Sequence, residues 1–172
     1  FTLLRNLHAG GAVNPFISPD SILSALSMTA VGARGETLSQ MNKAMKTKDN
    51  KELADYLLNL HQGLSQSHTV KYKVADSIWT NQGMITVKED FVKSNKEKFG
   101  AQVYSVTFND AALASMNDWV AKNTDQMIPF IINQLSPDDR MILLNAICFE
   151  GRWAEPYDDS QVKKDSFTLK DG

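Results

Sequence analysis

Met141-Ile-Leu-Leu-Asn-Ala-Ile-Cys-Phe149 decides the reading of this chain. The run is apolar on both faces apart from Asn145, and Ser136-Pro-Asp-Asp139 supplies a turn signal ahead of it. A short apolar run bounded in this way reads as a central, fully buried strand. Asn145 is its anomaly. An unpaired buried amide costs about 1–3 kcal/mol, so Asn145 is expected to have hydrogen-bond partners. Cys148 is expected as inert packing, with Glu150 on the other face of the strand and unable to act as its base.

Upstream, the period of the apolar residues changes repeatedly. The opening Phe1–Leu7 reads as the tail of a helix without an N-cap ahead of it, and His8–Ala12 as a loop. Ser18-Pro19 starts a helix, with Ser18 as cap and Pro19 at the first helical position. Ile22, Leu23, Leu26, Ala30 and Val31 form its buried face, and Thr37 caps a second short helix. Leu53, Tyr56, Leu57, Leu60 and Leu64 mark a third helix over about Lys51–Leu64. Val70, Tyr72 and Val74 then alternate with Lys71 and Lys73, which predicts a strand over Thr69–Thr80. A helix over Lys88–Phe99, closed by Gly100, precedes a strand over Gln102–Phe108. A helix over Ala111–Met127 follows, disturbed by Pro129. Ser166–Leu169 looks extended. The class is α+β with at least three strands.

Composition excludes several functions. Hydrophobic residues make up 42% and charged residues 22% of the 172, which argues against a disordered tail, a collagen-like repeat or a disulfide scaffold. A net charge of −2, from 18 Lys+Arg and 20 Asp+Glu, lacks the basic excess of a nucleic-acid binder. Gly32-Ala-Arg-Gly35 has the GxxG form of a nucleotide clamp, but its neighbourhood is not basic. Lys43, Lys46, Lys48 and Lys51 interleave with Asp49, Glu52 and Asp55, which argues against a heparin-type site. The longest apolar stretches fall far short of the ~20 residues of a membrane span. One cysteine and three unpaired histidines (His8, His61, His68) offer no metal-ligand spacing, and no cofactor is expected. No nucleophile elbow, P-loop or GxGxxG is present, so no enzymatic centre is expected. What remains is a polar set, Ser18, Ser21 and Asn145, in apolar surroundings. A structural cluster and a functional switch both fit it.

Three separated motifs carry a resemblance. Asn14-Pro-Phe-Ile-Ser18-Pro19-Asp-Ser21-Ile22, followed by Ala25-Leu26-Ser-Met28 and Gly32-Ala-x-Gly35-x-Thr37, resembles the helix B region of serpins. Asn117-Asp-Trp119-Val120 with Thr124 and Ile128 is similar to the helix F segment. Leu144-Asn145-Ala146-Ile147-x-Phe149-x-Gly151-x-Trp153 is similar to the strand 3A signature, continued by Pro156-Tyr157-Asp158 and Phe167. The resemblance covers essentially the whole chain. It implies a partial serpin fold, helices A to F with strands of the main sheet A, residues 1–172 being the N-terminal portion of one serpin domain.

Position by position, Ser18, Ser21 and Asn145 match the family's shutter, the polar cluster beneath the main sheet. Trp153 matches the breach, where an inserting loop enters. Asp76 stands where Asn is usual, Cys148 where an aromatic is common and Glu150 where Lys is frequent, departures expected not to touch the shutter. The implied function is suicide inhibition of a serine, or cysteine, protease. The cleaved reactive loop inserts into the sheet as an extra strand, the shutter opening to admit it. That loop belongs to a complementary C-terminal segment expected beyond Gly172, and no residue of this chain is read as bait. A non-inhibitory serpin acting as carrier, storage protein or chaperone is the alternative. The family's usual location is extracellular, although intracellular members also fit the lack of glycosylation signals and disulfides.

Overall fold

The alternation around Tyr72 folds as β1 (Val70–Asn81) in the computed structural model, which describes residues 2–11, 14–136 and 138–168. β1 is the middle of a sheet ordered β2 (Gln102–Val106), β1, β3 (Met141–Gly151). Four helices precede it: α1 (Thr2–Ala9), α2 (Pro19–Ala30), α3 (Gly35–Met45) and α4 (Asn50–Ser65). β1 and β2 run parallel, from Ser77 opposite Gln102 to Asn81 opposite Val106. A parallel pair needs a crossover, here α5 (Glu89–Phe99). β1 and β3 run antiparallel, from Val70 opposite Gly151 to Thr80 opposite Met141, with α6 (Asp110–Asn123) ahead of β3. The expected α+β class holds.

Side chains along a strand alternate between faces, and each face of this sheet has its own core. Against α6, Trp79, Leu144 and Ala146 pack on Met116, Trp119 and Val120. Trp119 Nε1 donates to Gln102 Oε1 at 2.9 Å, tying α6 to β2. On the opposite face, Ile78 packs with Met28 of α2 and Ala101, flanked by Phe91, Phe99, Val103 and Leu143. α3 and α4 pack against α2 beyond them.

Local signals explain the helix ends. Asp49 Oδ1 accepts from the Lys51 amide at 2.8 Å, and Asn109 Oδ1 from the Ala112 amide at 3.0 Å. Gly100, at φ 63, closes α5 in the left-handed conformation that glycine adopts without a Cβ penalty. Gly32 serves packing and Gly35 backbone conformation. A Cβ on Gly32 would meet the Phe91 ring at 3.1 Å, and Gly35 starts α3 at φ 55.

Several expectations are corrected. β3 is not fully buried: Phe149 near its end is 60% exposed, and among the described residues the strand pairs with β1 alone. Cys148 and Glu150, two residues apart, share a face, the one that carries buried Leu144 and Ala146. Cys148 is buried with its Sγ 3.2 Å from Met127 Sδ, whereas Glu150 lies at the exposed end. α6 stops at Asn123, short of Met127, because the Thr124 hydroxyl accepts the Ile128 amide and Asp125 and Gln126 turn to φ 51 and 65. α3 starts at Gly35 with Arg34 as cap, three residues before the expected cap Thr37. β2 ends at Val106, since the Phe108 amide donates to the Asn81 side chain instead of a ladder. Residues 166–168 join no strand, and Phe1, Ala12, Pro137 and Leu169 lie outside the described residues.

The packing sets two expectations, both read from urea denaturation of the full-length protein. Met116 is 0% exposed between α6 and the sheet, so Met116→Ala is expected to cost about 2–5 kcal/mol. Gly100→Ala has free space around the new Cβ but keeps the positive φ, so a smaller loss of about 1–2 kcal/mol is expected.

Candidate functional site

The expected polar set assembles where α2 crosses the middle of β1 and β3. Ser18 precedes α2 in extended conformation, and its Oγ accepts from the Ser21 amide at 3.2 Å. With that amide satisfied by the cap, the Ser21 hydroxyl is free to reach the sheet, where it donates to Asn145 Oδ1. Ser18 therefore contributes by presenting Ser21, and among the described residues its side chain does not hydrogen-bond Asn145 itself. The Asn145 amide is doubly used, because its Nδ2 donates to Asp76 Oδ1 at 2.8 Å. The antiparallel register sets Asp76 directly opposite Asn145, so the bond joins a cross-strand pair.

Asp76 corrects the expectation that the departures lie away from the shutter. It is the third member of the chain Ser21–Asn145–Asp76, 3% exposed. Its Oδ2 has no hydrogen-bond partner among the described residues. Burial pushes its carboxyl up to about 6, a rise that the Asn145 hydrogen bond opposes and does not cancel. The accepting oxygen of the Asp76 carboxyl directs the Asn145 NH2 toward β1 and leaves the Asn145 oxygen for Ser21.

Beside this chain lies a second cluster that sequence reasoning missed. Asp20, in the first turn of α2, accepts from His61 Nε2 of α4 at 2.9 Å and from Tyr72 Oη of β1. Burial works against the Asp20 carboxylate, but the His61 and Tyr72 hydrogen bonds and the His61 charge together hold its pKa below the ordinary value. Burial, reinforced by Asp20, drives the Tyr72 hydroxyl upward. The signal was present in part: Tyr72 and Asp76 share the phase of β1 that faces α2. What the strand pattern lacks is the information that α4 brings His61 to the same place.

Trp153 is not part of this assembly. It follows β3, 76% exposed, eight residues beyond Asn145. On the sheet's other face, Asp125 binds Lys71 and Lys73 of β1 at 2.6 and 2.7 Å, pinning the segment after α6 to the strand. These lysines hold the exposed Asp125 carboxyl well below its usual range. Among the described residues no group of three His, Cys, Asp or Glu side chains is arranged to hold a metal ion. No described helix is long and apolar enough to cross a membrane. What the arrangement can do is mechanical: it ties one strand to one helix by hydrogen bonds that can be broken and remade.

The comparisons with known proteins agree with that geometry. The family model described as Serpin (serine protease inhibitor) matches residues 1–172. Alpha-2-antiplasmin of Bos taurus is 31% identical over 91% of this chain and 31% of its own length. Intracellular coagulation inhibitor 1 of Tachypleus tridentatus is 32% identical over 97% of this chain and 41% of its own. The native-state crystal structure of the thermophilic serpin tengpin superposes with a TM-score of 0.84 at 32% identity, covering 94% of this chain and 43% of that one. The chain thus spans less than half the length of these relatives. With a family match along its whole length and a serpin architecture around the Ser21–Asn145 contact, the chain belongs to the serpin family.

Proposed function

We propose that this chain is the strand-accepting part of a protease-inhibiting serpin, in which Ser18, Ser21 and Asn145 form the shutter and Trp153 marks the breach. One observation carries the reading: β3 is tied to α2 by the hydrogen bond from the Ser21 hydroxyl to Asn145 Oδ1, a polar link under the middle of the sheet. A strand parted from a neighbour presents a row of backbone donors and acceptors to an incoming strand. A strand that enters there moves β3 relative to α2, so Asn145 must let go of Ser21. The hydrogen bond is one of few polar contacts in an otherwise apolar interface, so it sets a specific resting position while remaining breakable.

In the full protein the complementary C-terminal segment supplies the reactive loop. A target protease of the serine class, or the cysteine class, attacks a loop peptide bond. Its nucleophile is acylated by the loop and the new amino terminus departs. Insertion of the acylated loop beside β3 then carries the enzyme away before water completes the hydrolysis. α6 lies over the sheet and must yield as the strand passes. The relative named as an intracellular coagulation inhibitor makes an intracellular location compatible with this chemistry, beside the extracellular one usual in the family.

Two experiments test the reading. Full-length protein mixed with a panel of serine and cysteine proteases is expected to yield a one-to-one covalent complex that survives denaturing electrophoresis. A broad panel without any such complex overturns the inhibitor assignment in favour of a carrier, storage or chaperone serpin. Asn145→Ala removes the acceptor of Ser21 and the donor to Asp76 together. It is expected to lower stability by about 1–3 kcal/mol and to raise the rate of self-association through the strand edge, followed by light scattering. Unchanged stability and association would show that Asn145 does not restrain the sheet.

A further inference from the structure

Asp76 is an acid in a place that offers it little compensation. It is 3% exposed, lies in the middle of β1 and faces α2. One carboxyl oxygen accepts from Asn145, and the other has no partner among the described residues. The titratable groups around it are already engaged with one another. From α2 comes Asp20, a second carboxylate; from α4 comes His61, which bonds Asp20; from its own strand comes Tyr72, whose hydroxyl also goes to Asp20. On β3 the residues in phase with Asn145 are Leu143 and Ile147, which carry no charge. Among the described residues no cation is in hydrogen-bond contact with Asp76.

We infer that Asp76 links the movement of β3 off α2 to proton release: a neutral carboxyl keeps the interface closed, and an ionised one favours its opening. The inference rests on the strand-insertion reading above and adds a control to the same site. Its physical basis is solvation. A buried carboxylate with one hydrogen bond is poorly stabilised, whereas separation of the sheet from α2 lets water reach it. Any state that hydrates Asp76 is therefore favoured by deprotonation.

The direction of the linkage follows from burial, which holds the carboxyl at about 6 in the folded protein against 3.8 for the free side chain. The closed, folded state keeps a proton that the open or unfolded state has already lost. The stabilisation is fully present below the unfolded value of 3.8 and disappears as pH rises through about 6. Near neutrality the interface is at its loosest, and mild acid tightens it.

The test compares full-length wild type, Asp76→Asn and His61→Gln between pH 4.5 and 7.5. The first readout is the folding equilibrium constant from urea titration, which requires neither a protease nor an inserting strand. Relative to Asp76→Asn, the wild-type constant is expected to fall about ten-fold or more across that range, and His61→Gln to retain the fall. The second readout is the rate at which a fluorescent, acetylated strand peptide is incorporated into the sheet. That rate is expected to rise through the same pH interval in wild type and to stay flat in Asp76→Asn. A wild-type profile parallel to that of Asp76→Asn overturns the inference, as does loss of the difference in His61→Gln. If Asp76→Asn does not fold, the carbon-13 titration of the Asp76 carboxyl in wild type decides. A midpoint near 6 supports the linkage and one near 3.8 overturns it. Should the stability profile hold while no peptide enters at any pH, proton-linked stability stands, and both strand insertion and its control by Asp76 fail.

Discussion

The antiparallel register between β1 and β3 is the constraint on which the rest depends. It runs without a break from Val70 opposite Gly151 to Thr80 opposite Met141. A slip of one residue would turn every side chain of β3 to the other face. Asn145 would then face the α6 core in place of Leu144 or Ala146, and those two would be pushed against Ser21. Two cores of different composition read the same register from opposite sides. Against α6 it places Trp79 and Leu144, and against α2 it places Ile78 and Leu143. The polar chain Ser21–Asn145–Asp76 depends on this agreement, because the register sets the Asn145 amide opposite the Asp76 carboxyl to which it donates.

Hydrophobic burial holds the layers together without specifying where β3 rests along α2, since apolar contacts are not directional. A hydrogen bond between a helix hydroxyl and a strand amide is directional, and breaking it underneath a sheet leaves polar atoms without partners. The contact therefore specifies position and contributes little to adhesion. Asp76 orients the same amide from the far side. The same carboxyl that orients the amide also brings a potential charge into the interface. The neighbouring Asp20–His61–Tyr72 cluster shows the alternative arrangement, a carboxylate fully supplied with donors from α4 and β1. Two carboxyls on one interface are thus treated differently: one is compensated and stays ionised, the other is left with an orphan oxygen.

Much of this was legible in the chain. The caps Ser18 and Pro19, the closing Gly100, the alternation around Tyr72 and the polar interruption at Asn145 each carry local chemistry that survives folding. They located α2, α5, β1 and β3 to within a few residues. The resemblance brought Ser18, Ser21 and Asn145 together, and two of the three do meet through Oγ and Oδ1. What stayed hidden is non-local. Asp76 was read as a departure without contact because partnership across strands depends on register, which neither strand encodes alone. His61 reaches Asp20 from a helix 41 residues away in sequence, and no periodicity reports that. The early end of α6 came from the Thr124 hydroxyl and two left-handed residues, and Pro129 lies too far along to have caused it.

The misreading of β3 has its own physical cause. Apolarity on both faces predicts cover on both faces, and β3 has that cover along its first half, from α6 on one side and α2 on the other. It does not predict partners along both edges, because edge pairing is made by the backbone and leaves no mark in side-chain hydropathy. An edge strand that must stay unpaired is usually blunted by charge, proline or a bulge. Met141–Phe149 carries none of these in its sequence, so nothing in its own side chains discourages another strand from joining. The edge of β3 that is open among the described residues is therefore chemically ready to pair, while the Ser21–Asn145 hydrogen bond fixes where the strand sits on α2.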